Sequence, residues 1–309
     1  MRVLITGGAG FIGSHIQDRF LELGHDVTVL DDFSTGKRDY LNPKAKLVEG
    51  SICDEKLLHD LFQGGRFDLV DHHAAQINIR YSFDDPVRDC RVNVIGTLNL
   101  LKAMIDFKVG KIIFASTGGA IYGDPDDLPA DEETPPQPGS PYSISKLACE
   151  SYIRNLGNLH GFRYTVFRYA NVYGPRQIAK GEAGVVAIFT ERIMAGRNPV
   201  IFGTGSHTRD YVFIDDVVEA NVKAMEKGDR GTFNIGCGVE TSVHEVYDAV
   251  AKAFGDRALP AESAPAVPEV EHISLDCALA RRELGWEPSV EFEEGVRRTV
   301  QSYGVKVPD

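Results

Sequence analysis

Short apolar runs bounded by turn residues alternate with longer amphipathic stretches over the first half of the chain. Arg2 to Thr6 reads as a strand, Phe11 to Leu23 as a helix, and Asp26 to Leu30 as a second strand. Lys46 to Glu49 follows, then a helix-like stretch near 55–62 and a strand at Leu69 to His72. The pattern continues with a helix from about Val92 to Ile105, a strand at Lys111 to Ser116, a helix opening near Tyr142 and a strand at Arg163 to Arg168. Buried strands that alternate with helices imply parallel crossovers and a sheet covered on both faces. Asp124 to Pro141 holds six prolines and six acidic residues, so it reads as an exposed, solvated connector. Beyond residue 170 the alternation becomes irregular, with a Pro-rich connector around Leu259 to Pro268.

Composition adds exclusions. With 43% hydrophobic and 25% charged residues in 309, the chain can bury a real core, and wholesale disorder is excluded. A formal charge of -12 argues against nucleic-acid and membrane-surface partners. An anionic ligand must therefore meet a local positive site. Cys53, Cys90, Cys149, Cys237 and Cys277 are odd in number and widely spaced, which reads as reduced thiols rather than a metal site. Met1-Arg2 runs directly into the first strand, and no apolar run approaches membrane-spanning length, so the expected location is the cytoplasm. His72 and His73, neighbours on a strand, point to opposite faces and cannot chelate one metal together; no metal is assigned.

The chemistry begins after the first strand. Gly7, Gly10 and Gly13 sit where a strand turns into a helix. The first would allow the tight turn, the second the approach of a pyrophosphate, and the third close helix–strand packing. Asp31, 18 residues after Gly13, ends the second strand, where a carboxylate accepts from ribose hydroxyls and repels a 2'-phosphate. Asp32 reinforces that field, so NAD is expected over NADP. The fold expectation is α/β, a Rossmann-type doubly wound parallel sheet with a smaller C-terminal substrate-binding domain. Tyr142 and Lys146 are four apart at the start of a helix and share a face. A phenol with pKa near 10 needs a nearby cation to act as a base at neutral pH, and Lys146 can supply one.

Thr6 to Gly13, Asp31, Asn93, Ser116 to Gly123, Tyr142-x-x-x-Lys146 and Arg168 to Pro175 together resemble the extended short-chain dehydrogenase/reductase family. Within it the chain is most similar to the UDP-glucose 4-epimerase group of sugar-nucleotide epimerases, as far as Leu284 to Pro288. The resemblance implies an NAD-binding domain over 1–168, with a return around 209–236, and a mainly nucleotide-sugar-binding domain over 169–309. It implies 4-epimerisation of a UDP-hexose through a transient 4-keto sugar, with NAD regenerated each cycle. Tyr142 would be the base, Lys146 would lower its pKa, and Thr117 would share the sugar 4-oxygen. It places Gly7, Gly10, Phe11, Ile12, Gly13, Asp31, Asp32, Ser51, Ile52, Ala74, Ala75, Asn93, Ser116, Tyr142, Lys146 and Tyr169 around the cofactor. Substrate contacts would come from Thr117, Gly118, Gly119, Asn171, Val185, Arg209, Tyr211 and Ile273. The helices starting near Asn93 and Tyr142 would form a homodimer interface, with Leu98, Leu101 and Ile105 facing it.

The chain departs from that pattern in several places. Counting along the strand end gives Thr117 as the hydroxyl member, counting back from Tyr122-Gly123 gives Gly118, and Ser116 is the fallback. Dehydratase relatives carry an acidic pair and decarboxylases a Glu where this chain has Gly118-Gly119, which ranks both below an epimerase. A second phosphate-binding Arg is replaced by Ala266, which implies looser binding, a different gripping residue such as Arg176 or Lys180, or an altered substrate. Ile273 stands where strict glucose/galactose enzymes carry Tyr, so N-acetylated sugars are an alternative substrate, as is UDP-glucuronate. Ser51 replaces an Asp usual beside the adenine. The rival of another class is a non-catalytic NAD-binding sensor, against which Tyr142 and Lys146 speak.

Overall fold

A computed structural model describes residues 1–179, 184–266 and 270–308. The chain begins β1 (Arg2–Thr6), α1 (Phe11–Glu22), β2 (Asp26–Asp31), β3 (Lys46–Glu49), α2 (Glu55–Gly65), β4 (Leu69–His72), α3 (Ile79–Asp84) and α4 (Pro86–Cys90). A π-turn over Arg91–Ile95 leads into α5 (Gly96–Asp106), followed by β5 (Lys111–Thr117), α6 (Gly118–Ile121), α7 (Pro141–His160) and β6 (Arg163–Tyr169). Then come β7 (Asn171–Tyr173), α8 (Val185–Met194), β8 (Val200–Phe202), β9 (Thr208–Arg209), β10 (Tyr211–Phe213), α9 (Ile214–Ala224) and β11 (Gly231–Ile235). The chain closes with β12 (Thr241–Ser242), α10 (Val243–Phe254), β13 (Glu262–Ala264), β14 (His272–Ile273), α11 (Ala278–Leu284) and α12 (Phe292–Ser302).

Seven parallel strands form the central sheet in the order β11-β6-β5-β4-β1-β2-β3. The chain builds outward from β1 to β3 and then crosses to the other side of β1 at β4, so the order reverses between β1 and β4. Open α/β sheets bind ligands outside the carboxyl ends of their strands at such a reversal. One face carries Leu4, Val70, Ile112, Phe114 and Val166 against α2, α5 and α7. The other carries Val3, Ile5, Val29, Ile113 and Phe167 and merges with the apolar core of the C-terminal part. Among the described residues no helix is long and apolar enough to cross a membrane.

One expectation narrows and two change. The main sheet is rejoined by β11, whereas Arg209 and Tyr211–Phe213 pair in small separate sheets with β12, β14 and β7. The helix expected from Val92 starts at Pro86, because Asp85 caps the Arg88 amide and Pro86 takes the first turn. The Pro-rich acidic segment is not simply a solvated connector: Ala130 is buried and bridges Leu275, and Glu132 accepts from the Asn234 amide. The Ala130 amide donates to the Ser274 carbonyl and its carbonyl accepts from the Asp276 amide.

Helix α1 starts tightly against β1. A Cβ on Gly13 would lie 2.4 Å from the Gly7 carbonyl oxygen and 2.8 Å from Gly8 Cα, both backbone atoms that cannot step aside. Gly13→Ala should therefore cost about 2 kcal/mol or more, seen as a lower Tm in calorimetry together with loss of copurifying dinucleotide.

Candidate active site

The glycine turn is shaped by what surrounds it. Gly7 has φ +71, and a Cβ there would meet the Ala74 amide nitrogen at 2.7 Å, so both its conformation and its packing call for glycine. Gly10 is the N-cap of α1 and offers no side chain to the helix end. A Cβ on Gly10 would meet only the Gly7 oxygen, at 3.1 Å, so packing demands glycine least there. An open helix N-terminus beside a bare backbone is a cradle suited to a pyrophosphate. Phe11 and Ile12 pack half-buried against the core.

Asp31 reaches back to this turn. Its Oδ2 accepts from the Ala9 amide at 2.9 Å and its Oδ1 from Phe33 at 2.8 Å. Burial pushes the carboxyl up and the two amide bonds pull it down. A carboxylate retains acceptor capacity after two bonds, so ribose hydroxyls can still be received. Asp32 accepts from the Ser34 amide. Ser51 accepts from the Cys53 amide, while Ile52 is buried against Gly96. The residues fit a dinucleotide: the cradle is one that side chains would fill, and a carboxylate stands at the end of β2.

A buried relay links β1 to the catalytic side. Thr97 donates to the Asn93 carbonyl at 2.5 Å, so its oxygen accepts from His72 Nε2, 2.9 Å away. His72 Nδ1 then accepts from Thr6 Oγ1 at 2.7 Å, and Thr6 Oγ1 faces the Ala74 amide. This order requires a neutral imidazole with its proton on Nε2. Full burial holds the His72 pKa well below its ordinary value, with Lys146 and His73 adding to the effect. Asn93 clamps the segment after Ala74-Ala75: its Oδ1 accepts from the Gln76 amide and its Nδ2 donates to the Gln76 carbonyl. The histidines are core groups on opposite faces; His73 pairs with Asp71 at 2.8 Å and stacks on Tyr169.

Helix α7 presents the tyrosine and lysine. Ser140 and Ser143 form a capping box, Pro141 occupies the first turn, and Gly161 ends the helix in the left-handed conformation. That start fixes Tyr142 one turn before Lys146. Lys146 Nζ donates to the Ala115 carbonyl at 2.8 Å and lies 6.0 Å from the Tyr142 ring centroid. Burial lowers the ammonium to about 8. Burial also raises the Tyr142 phenol, and the Asp89 carboxylate raises it further.

The hydroxyl member separates cleanly. Ser116 Oγ donates to Glu150 at 2.5 Å and is buried, so the fallback is committed to the interior. Thr117, half-buried, is the last residue of β5 and caps α6 without spending its side chain on the cap. A Cβ on Gly118 would meet Leu275 Cδ1 at 2.5 Å and the Arg168 carbonyl oxygen at 3.1 Å. One on Gly119 would lie 2.9 Å from Asn171 Oδ1. The space after Thr117 is filled, and an acidic pair there would displace Leu275 and Asn171.

The later half is more heavily committed than expected. Val185 starts α8 half-buried, and Tyr211 is buried among Tyr173 and Phe292. Arg209 donates to the Thr208 carbonyl at 2.8 Å. Ile273 is 1% exposed and belongs to the core, paired in register with Arg209, so it reaches no open surface. Tyr169 is buried with its hydroxyl on Asn221. Arg176 cannot stand in for the arginine missing at exposed Ala266, since it pairs with Asp18 at 2.8 Å and donates to the Ser14 carbonyl. Lys180 lies outside the described residues. Leu101 is fully buried in its own chain's core, and Leu98 and Ile105 are half-buried, so they do not form an exposed stripe. The π-turn changes the helical phase, and Val87 and Ile95 are exposed instead.

Sequence reasoning missed three organising carboxylates. Glu150 binds Arg168 through both oxygens, at 3.1 and 2.7 Å. Asp210 accepts from the amides of Cys237, Gly238 and Leu275, with burial raising it to about 6. Asp89 collects Gln76, Asn93 and Ser145. The available signal was spacing: Glu150 follows Lys146 by four, and Asp89 precedes Asn93 by four.

This sheet, turn and helix define a dinucleotide-binding protein with a tyrosine–lysine pair beside its cofactor crevice. A family model described as "NAD dependent epimerase/dehydratase family" matches residues 3–236, and the chain belongs to that family. It is 44% identical to the UDP-glucose 4-epimerase of Mycolicibacterium smegmatis, over 98% of both chains. The crystal structure of UDP-glucose 4-epimerase with UDP-glucose from Thermotoga maritima superposes with a TM-score of 0.95 at 46% identity, covering 98% of this chain and 99% of that one. The UDP-glucose 4-epimerase of Thermus thermophilus, in complex with NAD, gives 0.94 at 42% identity, with the same coverage.

Removing Glu150 strands a guanidinium that is itself 4% exposed. Glu150→Ala should lose about 3–5 kcal/mol, measured by denaturant unfolding, whereas a paired apolar replacement of Glu150 and Arg168 should lose much less.

Proposed function

We propose that this chain interconverts UDP-glucose and UDP-galactose by epimerisation at the sugar C4, with NAD as its cofactor. The observation that carries this reading is the Gly118-Gly119 pair directly after Thr117, which places no carboxyl group there for eliminating water and points to Tyr142, Lys146 and Thr117 as the groups for proton transfer. Bound NAD supplies the oxidising equivalent at C4 and gives it back, so it is unchanged over a turnover. Gly7, Gly10 and Gly13 would admit its pyrophosphate and Asp31 would receive its ribose hydroxyls. Tyr142 takes the proton of the 4-hydroxyl and later returns it. The Lys146 ammonium favours the phenolate while protonated, an effect lost as pH rises through about 8. Thr117 shares the 4-oxygen, and Arg209 is suited to the substrate diphosphate.

We also propose a homodimer. Support comes from two exposed apolar stripes, Val87 and Ile95 on α4 and the π-turn, and Ile144, Tyr152 and Leu159 on α7, whose spacings each keep to one helix face. A reducing cytoplasm suits five free cysteines.

Incubated with UDP-galactose and no added NAD, the purified protein should form UDP-glucose by NMR. Tyr142→Phe should lower that rate by about 100-fold or more while dinucleotide stays bound; an unchanged rate would remove Tyr142 as the base. Ile95→Glu with Ile144→Glu should convert a dimer to a monomer in sedimentation velocity.

A further inference from the structure

The carboxylate of Asp89 is fully buried on α4, within a helix of otherwise ordinary surface sequence. Its Oδ2 accepts from Ser145 Oγ at 2.6 Å. Its Oδ1 accepts from Gln76 Nε2 at 2.8 Å and Asn93 Nδ2 at 3.1 Å. Both oxygens accept, the pattern of an ionised carboxylate, and all three donors are neutral. The charge is therefore hydrogen-bonded but not cancelled. Ser145 lies between Tyr142 and Lys146 in the same helical turn and is itself 5% exposed. The bond that Ser145 donates thus ties Asp89 to the turn of α7 that carries both.

We propose, resting on the function given above, that Asp89 is a positioning residue whose buried negative charge sets the pH window of the Tyr142–Lys146 pair. A charge held in a water-poor interior acts on its neighbours far more strongly than one on the surface. It disfavours the phenolate and favours the ammonium, so both ionisations move to higher pH. This matches the direction in which the Asp89 charge acts on each group. Among the described residues, three other titratable groups lie near the pair or its helix. His72 on β4 is held neutral by burial, Cys149 on α7 is a thiol raised to about 11, and Glu150 is paired with Arg168. Of the carboxylates that act on Lys146, only Asp89 also acts on Tyr142.

Asp89→Asn keeps the shape and can keep the contacts: its oxygen accepts from Gln76 and Asn93, and its amide donates to Ser145. Both limbs of the kcat/KM profile for UDP-galactose should move down by about half a pH unit or more, with dinucleotide content and Tm near wild type. The phenolate absorbance that titrates in the parent protein but not in Tyr142→Phe should move down equally in Asp89→Asn. That reading needs no substrate, so it stands apart from failure of the epimerase assignment. A purely structural role leaves both midpoints in place, and unmoved or raised midpoints overturn the proposal. Because coupling is reciprocal, the Asp89 carboxyl carbon in wild-type protein labelled with 13C-aspartate should report the Tyr142 titration and lose that response in Tyr142→Phe. A signal blind to Tyr142 overturns the proposal even if Asp89→Asn does not fold.

Discussion

The ion pair between Glu150 and Arg168 holds the working end of the molecule together. Arg168 lies near the end of β6, Glu150 lies on α7, and Ser116 of β5 donates to the same carboxylate. Arg168 also donates to Tyr122, whose hydroxyl reaches Asn234 on β11. Asn234 in turn donates to the carbonyls of Ala130 and Asp276. Three neighbouring strands, the catalytic helix, the Pro-rich segment and the C-terminal part thus meet in one buried polar network. Taking a guanidinium and a carboxylate out of water costs several kcal/mol per ion, and only near-complete hydrogen bonding offsets it. The stability return is small and the geometric return is large, because few arrangements satisfy every donor at once.

That network explains why Ser116 and not Thr117 is drawn into the interior. Adjacent residues of a strand point to opposite faces, and Ser116 is already committed to the α7 side. The position is decided by where a buried carboxylate draws a hydroxyl, which neighbouring sequence cannot reveal. Glu150 is 34 residues from Ser116 in the chain, and only the fold brings them to 2.5 Å.

The parts legible in the sequence share a local cause. Strands β1, β2, β4, β5 and β6 read correctly because parallel strands buried on both faces are continuous apolar runs, whereas β11 was not read, and α7 read correctly because Tyr142 follows a cap and a proline. Gly7 and Gly13 were legible because backbone packing admits nothing larger. What was illegible depends on contacts distant in sequence. The helix phase before α5 is shifted by a π-turn that composition does not announce, so Leu101 points inward and Ile95 outward. Arg176 looked like a free cation in sequence, yet Asp18 and the Ser14 carbonyl on α1 hold it. Ala130 looked like part of an exposed acidic loop, yet its amide donates to the Ser274 carbonyl and its side chain is buried.

The two halves of the site carry opposite electrostatic designs. Beside Tyr142 the charged groups are buried and few: Lys146 donates to one carbonyl, and Asp89 accepts from three neutral donors. In the substrate half Asp210 spends its charge on three backbone amides, joining the segment after Arg209 to the turn at Gly236-Cys237-Gly238 and to Leu275. There, charge shapes the walls; near Tyr142 it tunes proton affinity. Three backbone amides locked onto one buried carboxylate fix the relative positions of those segments, because a shift of any one would leave a buried polar group without its partner.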